Sequence, residues 1–382
     1  MRDAVICEAI RTPVGKRGGA LSGVHAADLS AHVLKSLVER SGIDPAQVDD
    51  VIWGCVSQVG EQTGDIGRTA ALVAGWPESV PGTTIDRQCG SSQQSLAFAA
   101  AGVISGQYDL AVAGGVEMMS RVPMGSTSSN KDFGRPFADS WLARYGQMPN
   151  QGIGAEMIAE QWGFSRTELD EFSLRSHEKA AKAQDDGAFD SQIVPVETPE
   201  GVVSADEGVR RGGTVEKLAS LPTPFKEDGV ISAGNASQIS DGSAAMLVTT
   251  SEKAKELGLT PLVRVHTTVL AANDPIIMLT APIPATEKAI KRSGLSLDDI
   301  GVFEVNEAFA PVPMAWMKDI GVEEDRLNPT GGAIALGHPL GGSGARIMAT
   351  MIHYMLNNDV KYGLQTMCEG GGQANATILE KL

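Results

Sequence analysis

Ser41-Gly42-Ile43-Asp44, leading to Val48-Asp49-Asp50-Val51-Ile52, is matched later by Ser293-Gly294-Leu295, leading to Leu297-Asp298-Asp299-Ile300-Gly301-Val302-Phe303. In both places an amphipathic helix pattern ends at Ser-Gly, an acidic turn follows, and a strand begins. A second echo follows in the same order. Cys89-Gly90-Ser91-Ser92 opens a helix that leads to a strand ending in Ala113-Gly114-Gly115, and Gly341-Gly342-Ser343-Gly344 opens one that leads to Cys368-Glu369-Gly370-Gly371-Gly372. Two echoes in one order predict a duplicated unit. The two halves then pack as similar lobes, and a site between them draws on corresponding strand ends.

The rest of the chain fits that scheme. Helical periodicity falls at 27–40, 91–105, 167–186, 284–293 and 342–356. It alternates with β-rich runs at Val51–Val56, Leu110–Ala113, Met246–Thr249, Leu262–Val265 and Val302–Val305. Strands alternating with helices predict α/β layers. Between about Ser120 and Ser240 the pattern breaks: a Gly-, Ser- and Met-rich stretch, then a helix, then interrupted strands. This reads as an excursion from the first lobe, and long loops of this kind are commonly binding elements or lids.

Composition excludes several classes. The 382 residues are 42% hydrophobic and 20% charged, enough apolar material for a large core. A formal charge of −16 argues against nucleic-acid or anionic-membrane partners, since both polyanions repel it. Four cysteines with no CxxC pair point to neither a disulfide framework nor structural zinc. No long apolar run suggests a signal peptide or membrane span, so the expected location is cytoplasmic.

Four positions carry chemistry. Cys89 lies between a short strand and an Ala-rich helix, where free N–H groups and the macrodipole are expected to lower its pKa. His338 sits among six glycines between Gly331 and Gly344, with little apolar volume to make it a core residue. Cys368 closes a strand before a glycine turn. Asn306 follows the strand Val302–Val305 and reads either as a helix N-cap or as a group that orients water or a carbonyl. Cys7 and Cys55 lie in strand-like runs and read as core thiols; the other five histidines read as structural or exposed.

Cys89-Gly90-Ser91, Asn306-Glu307-Ala308-Phe309, Gly337-His338-Pro339 and Cys368-Glu369-Gly370, in this order, resemble the thiolases, almost end to end from Arg11-Thr12-Pro13-Val14-Gly15. The resemblance implies two βαβαβαββ lobes in a five-layered αβαβα arrangement. The lobes would span 1–253, with an inserted loop domain at about 120–240, and 260–382. It implies Cys89 as the acyl-carrying nucleophile, His338 as its base and Cys368 as the acid/base at the α-carbon. Asn306 would hold a water that stabilises an enolate oxygen, and the N–H groups of Cys89 and Gly370 would form an oxyanion hole. Arg210, Phe225, Ala233, Ser237, Met278 and Phe309 would receive coenzyme A and the acyl chain. Coenzyme A would be a co-substrate, with no permanently bound cofactor or metal, and the assembly a homodimer or homotetramer.

The sequence departs from short-chain thiolases at Pro149-Asn150-Gln151-Gly152, where those enzymes carry a His-Met pair. That points to degradative thiolases acting on fatty, bulky or steroid-derived chains, the alternative being an acetoacetyl-CoA-type acetyltransferase. Ketoacyl synthases share the fold but lack a second catalytic cysteine, and a non-catalytic complex subunit would not need all four motifs.

Overall fold

The computed structural model describes residues 2–382. The first half runs β1 (Val5–Arg11), α1 (Ala26–Ser41), β2 (Asp50–Gly54), α2 (Ile66–Val73), β3 (Gly82–Ile85), α3 (Ser91–Ser105), β4 (Leu110–Met118) and, after the excursion, β5 (Ser240–Thr249). The excursion holds two long helices, α4 (Gln151–Trp162) and α5 (Arg166–Asp185). The second half runs β6 (Val263–Ala272), α6 (Pro282–Ser293), β7 (Val302–Val305), α7 (Pro311–Ile320), α8 (Ser343–Asn357), β8 (Tyr362–Glu369) and β9 (Gln373–Lys381).

The duplication extends to the hydrogen bonds. The strand order β3-β2-β4-β5-β1 is mirrored by β7-β8-β9-β6, and in the second half a single parallel bridge from Phe303 to Leu327 takes the place of β3. Gly42 and Gly294 end α1 and α6 in the left-handed region, at φ 71° and 76°, where a side chain would be strained. The sets Val5–Ile6 and Val263–Arg264 pair antiparallel, joining both halves into one ten-stranded sheet.

Three apolar clusters fill the layers. One places α1 and α2 on the outer face of the first half, and a second buries α3 and α8 between the two half-sheets. The third covers the outer face of the second half with α6 and α7, joined there by Ala155, Ile158, Leu169 and Phe172 of the excursion. The helices α4 and α5 of the excursion therefore pack on the second lobe, while Val194 and Val196 further along return to the first. One sequence expectation is corrected: Gly114 and Gly115 do not end their strand, which continues to Met118. Gly115 is glycine because the halves touch there, a Cβ standing 2.3 Å from the Gly341 carbonyl; Gly114 is crowded within its own half, by the Ala244 carbonyl and the Trp53 ring at 2.4 Å each.

Candidate active site

The turn before α3 is tightly held. Gln88 takes φ 48°, a conformation that costs a non-glycine residue roughly 1–3 kcal/mol. Its N–H donates to Asp86 at 2.6 Å, and the Ser91 hydroxyl accepts from Arg87 N–H at 2.9 Å while donating to the Gln88 carbonyl at 2.6 Å. This presents Cys89 at the head of α3, buried with Met119, Leu340 and Met367.

Gly341, Gly342 and Gly344 serve close packing between backbones. A Cβ on Gly344 would lie 2.3 Å from Gln93 N, so α8 and α3 can meet only without one. The buried Glu117 carboxylate accepts N–H groups from Val56 and Ser57 at 3.0 Å each, from Gly341 at 2.9 Å, and from the Gln62 amide at 2.8 Å. It ties the His338 loop to β4.

His338 is held from several sides. Its backbone N–H donates to Ser240 at 3.0 Å, and Arg346 Nη2 donates to the Gly337 carbonyl at 3.2 Å. Nδ1 stands 2.6 Å from the Ser343 hydroxyl, which itself donates to the Pro339 carbonyl at 2.8 Å. Ser343 has one proton and has spent it, so Nδ1 carries the ring hydrogen and Nε2 keeps a lone pair. Nε2 faces the Asn306 amide nitrogen at 3.5 Å. Burial and the Arg346 charge push the imidazolium pKa down to about 3, so the ring is neutral at physiological pH.

Asn306 is not a helix cap, since α7 begins five residues later at Pro311. Its side-chain oxygen is buried with no partner among the described residues. Cys368 is the penultimate residue of β8, paired with Ala374 across a hairpin whose Gly371 and Gly372 adopt φ 84° and 78°. Cys368 is buried near enough to Cys89 that charge on either opposes ionisation of the other.

The expectation of an acidic Cys89 is reversed. Burial outweighs the helix terminus, and nearby Glu369 adds to it, so the thiol is pushed up to about 12. Its own backbone N–H still favours the thiolate, by a smaller amount. Cys89 at rest is a neutral thiol that needs a base. Cys7 and Cys55, as expected of core thiols, are buried and raised as well.

Beside His338 opens a cleft of about 250 Å³ lined by Met119, Gln151, Phe225, Ala233, Ser237 and Phe309. Phe225 and Phe309 meet edge to face at 6.1 Å. Arg210 stands outside it: it lines a small cavity of about 40 Å³ that shares Ala233 and Ala236 with the cleft, and a surface hollow beyond. Met278 is packed in the second-half core and does not line the cleft. Gly152 lies in α4, where a Cβ would come 2.2 Å from the Phe225 ring. Ser343, Arg346 and Glu117 were missed in the sequence; Ser343, placed five residues after the histidine at a helix start, was the one readable signal.

Among the described residues no group of three or more His, Cys, Asp or Glu could hold a metal ion, and no helix is long and apolar enough to cross a membrane.

Family models for the thiolase N-terminal domain and the thiolase C-terminal domain match residues 4–252 and 259–381. The chain belongs to the thiolase family. This thiolase is 50% identical to the steroid 3-ketoacyl-CoA thiolase FadA6 of Mycobacterium tuberculosis, over 100% of this chain and 95% of that protein. It is 44% identical to a 3-ketoacyl-CoA thiolase of Aliivibrio fischeri over the full length of both. The solved acetyl-CoA acetyltransferase of Bacillus anthracis superposes with a TM-score of 0.92 at 39% identity, covering 100% of this chain and 99% of that one. The fold is the thiolase fold, and the chain is an acyltransferase.

Proposed function

We propose that this thiolase cleaves β-ketoacyl-CoA in degradative β-oxidation of fatty or steroid-derived chains, with coenzyme A as co-substrate. The observation that carries the reading is a base-ready His338 on the cleft wall with Asn306 at its Nε2, while Cys89, packed on the cleft residues Met119 and Leu340, lies beside Cys368. His338 Nε2 takes the Cys89 proton as sulfur bonds to the β-carbonyl carbon. The Cα–Cβ bond breaks, its electron pair becomes the enolate of acetyl-CoA, and Cys368 protonates that carbon. The thiol of coenzyme A, giving its proton to Cys368, then displaces the acyl group, and the departing Cys89 sulfur takes its proton back from His338. The N–H groups of Cys89 and Gly370 receive the tetrahedral oxyanion, and Asn306 with His338 receives the enolate oxygen through a water.

Phe225, Ala233, Ser237 and Phe309 would line the pantetheine and acyl path. Arg210, one cavity further out, suits the nucleotide phosphates, whereas Arg211 is committed to Asp185. Met278 shapes the second-half core behind that path. The lobes 1–253 and 260–382 then act as two halves of one site, with the insertion at about 120–240 supplying most of the cleft wall. A homodimer or homotetramer in the cytoplasm fits four free cysteines and an edge strand, β3, that is partly exposed.

Thiolysis kinetics across a panel of β-ketoacyl-CoA substrates test the reading. With neutral Gln151 lining the cleft, a medium-length, branched or ring-derived substrate is expected to exceed acetoacetyl-CoA in kcat/KM by about tenfold, since a buried methylene contributes about 0.8 kcal/mol. Equal or better turnover of acetoacetyl-CoA returns the assignment to an acetyltransferase. Ser343→Ala is expected to lower kcat about tenfold with little change in KM, because the imidazole can then adopt the unproductive tautomer. An unchanged kcat would remove Ser343 from the mechanism.

A further inference from the structure

The duplication places two buried glutamates in matching positions. The sequence offset that carries Ser91 to Ser343 at the helix starts, and Leu110 to Tyr362 at the strand starts, carries Glu117 to Glu369. Their surroundings differ. Glu117 is saturated by four N–H donors. Glu369, fully buried, has one oxygen facing the Asn375 amide, in the orientation that also lets Asn375 accept from Gln94 N–H, and its other oxygen has no partner among the described residues.

Glu369 also lies against the nucleophile. A Cβ on Gly90 would stand 1.9 Å from its Oε1, so the carboxyl occupies the space that glycine leaves at the head of α3. The groups around it are few. Arg87 comes from the turn before α3, Cys89 and Gln94 from α3 and its head, Cys368 from its own strand and Asn375 from β9. Asp86 and Glu117 bear on Cys89 more weakly. Arg87 is the one cation of the set, and its guanidinium spends a donor on Gln373 at 2.9 Å.

We propose that Glu369 is a positioning residue that decides when Cys89 can ionise. As the neutral acid it leaves the positive end of α3 to the sulfur. As the carboxylate it takes that end for itself and suppresses the thiolate. This rests on Cys89 being the nucleophile. Burial, opposed by Arg87, pushes the Glu369 carboxyl up to about 8, so the changeover falls within the working range of an enzyme.

The test is the rate at which iodoacetamide alkylates Cys89, followed by mass spectrometry from about pH 6 to pH 10. Two groups that oppose each other's ionisation titrate as a pair. The wild-type rate should therefore rise about tenfold per pH unit at first and flatten above about pH 8. Glu369→Gln should match it near pH 6.5 and alkylate about tenfold faster near pH 9, with no flattening. Arg87→Gln, which removes the cation that favours the carboxylate, should move the break to higher pH. A Glu369→Gln profile that superposes on wild type, or that is slower by one factor at every pH, overturns the proposal. Should that variant fail to fold, an unmoved break in Arg87→Gln overturns it equally. A wild-type chain inactive on every β-ketoacyl-CoA would sink the functional reading and leave the alkylation profiles intact as a test of Glu369.

Discussion

Cys368→Ser is expected to acylate Cys89 from acetyl-CoA at close to the wild-type rate, while thiolysis and condensation fall by about a thousandfold. Cys368 is buried beside Cys89, and that burial keeps it a neutral thiol. A neutral thiol can hand a proton to a carbanion and take one back from coenzyme A. Serine fills nearly the same space but is a far weaker acid, so the shuttle stops while the pocket stays intact. Loading the first acyl group needs only Cys89, its base and an oxyanion hole. Mass spectrometry of the Cys89 peptide after acetyl-CoA treatment, set beside thiolysis kinetics, separates the steps. A variant that cannot be acylated at all would place Cys368 in the nucleophilic step.

What the sequence disclosed was local chemistry. The Ser-Gly helix ends and acidic turns are settled by a few neighbouring residues, and both became left-handed caps followed by strands. The helix over 91–105 was legible because its glycine start and periodicity are local too. What failed were properties that depend on distant neighbours. The head of α3 suggested an acidic Cys89, but burial under Met119, Leu340 and Met367 sets the opposite direction. That Phe225, far along the chain, rests on Gly152 is likewise invisible in the residues around that glycine. The route of α4 and α5 onto the second half was equally hidden, since their apolar faces show only that they pack, not on what. Glu369 lay inside a quoted motif and passed without comment, because its significance appears only beside its saturated counterpart, Glu117.

His338→Ala should lose acylation as well as turnover, each by about a thousandfold near neutral pH, and in this it differs from Cys368→Ser. A thiol held near 12 is almost wholly protonated at pH 7, so uncatalysed ionisation cannot supply the nucleophile. His338, held near 3 by burial and Arg346, is too weak a base to take that proton as an isolated charge. In the dry site each charge is disfavoured only while it stands alone. When the proton passes from sulfur to Nε2 the two charges appear together, and each relieves the desolvation that penalised the other, so the pair titrates as one unit. The same coupling means that His338 stays neutral and competent well below pH 6, and protonation of the imidazole cannot cause a loss of activity at mildly acidic pH. Without the imidazole the thiolate must form alone, and the residual rate of His338→Ala should climb with pH until Glu369 ionises near pH 8 and then flatten. Single-turnover acylation of Cys89 by acetyl-CoA, measured across pH for wild type and His338→Ala, decides it. A variant that acylates at the wild-type rate at pH 7 would show that another group takes the thiol proton.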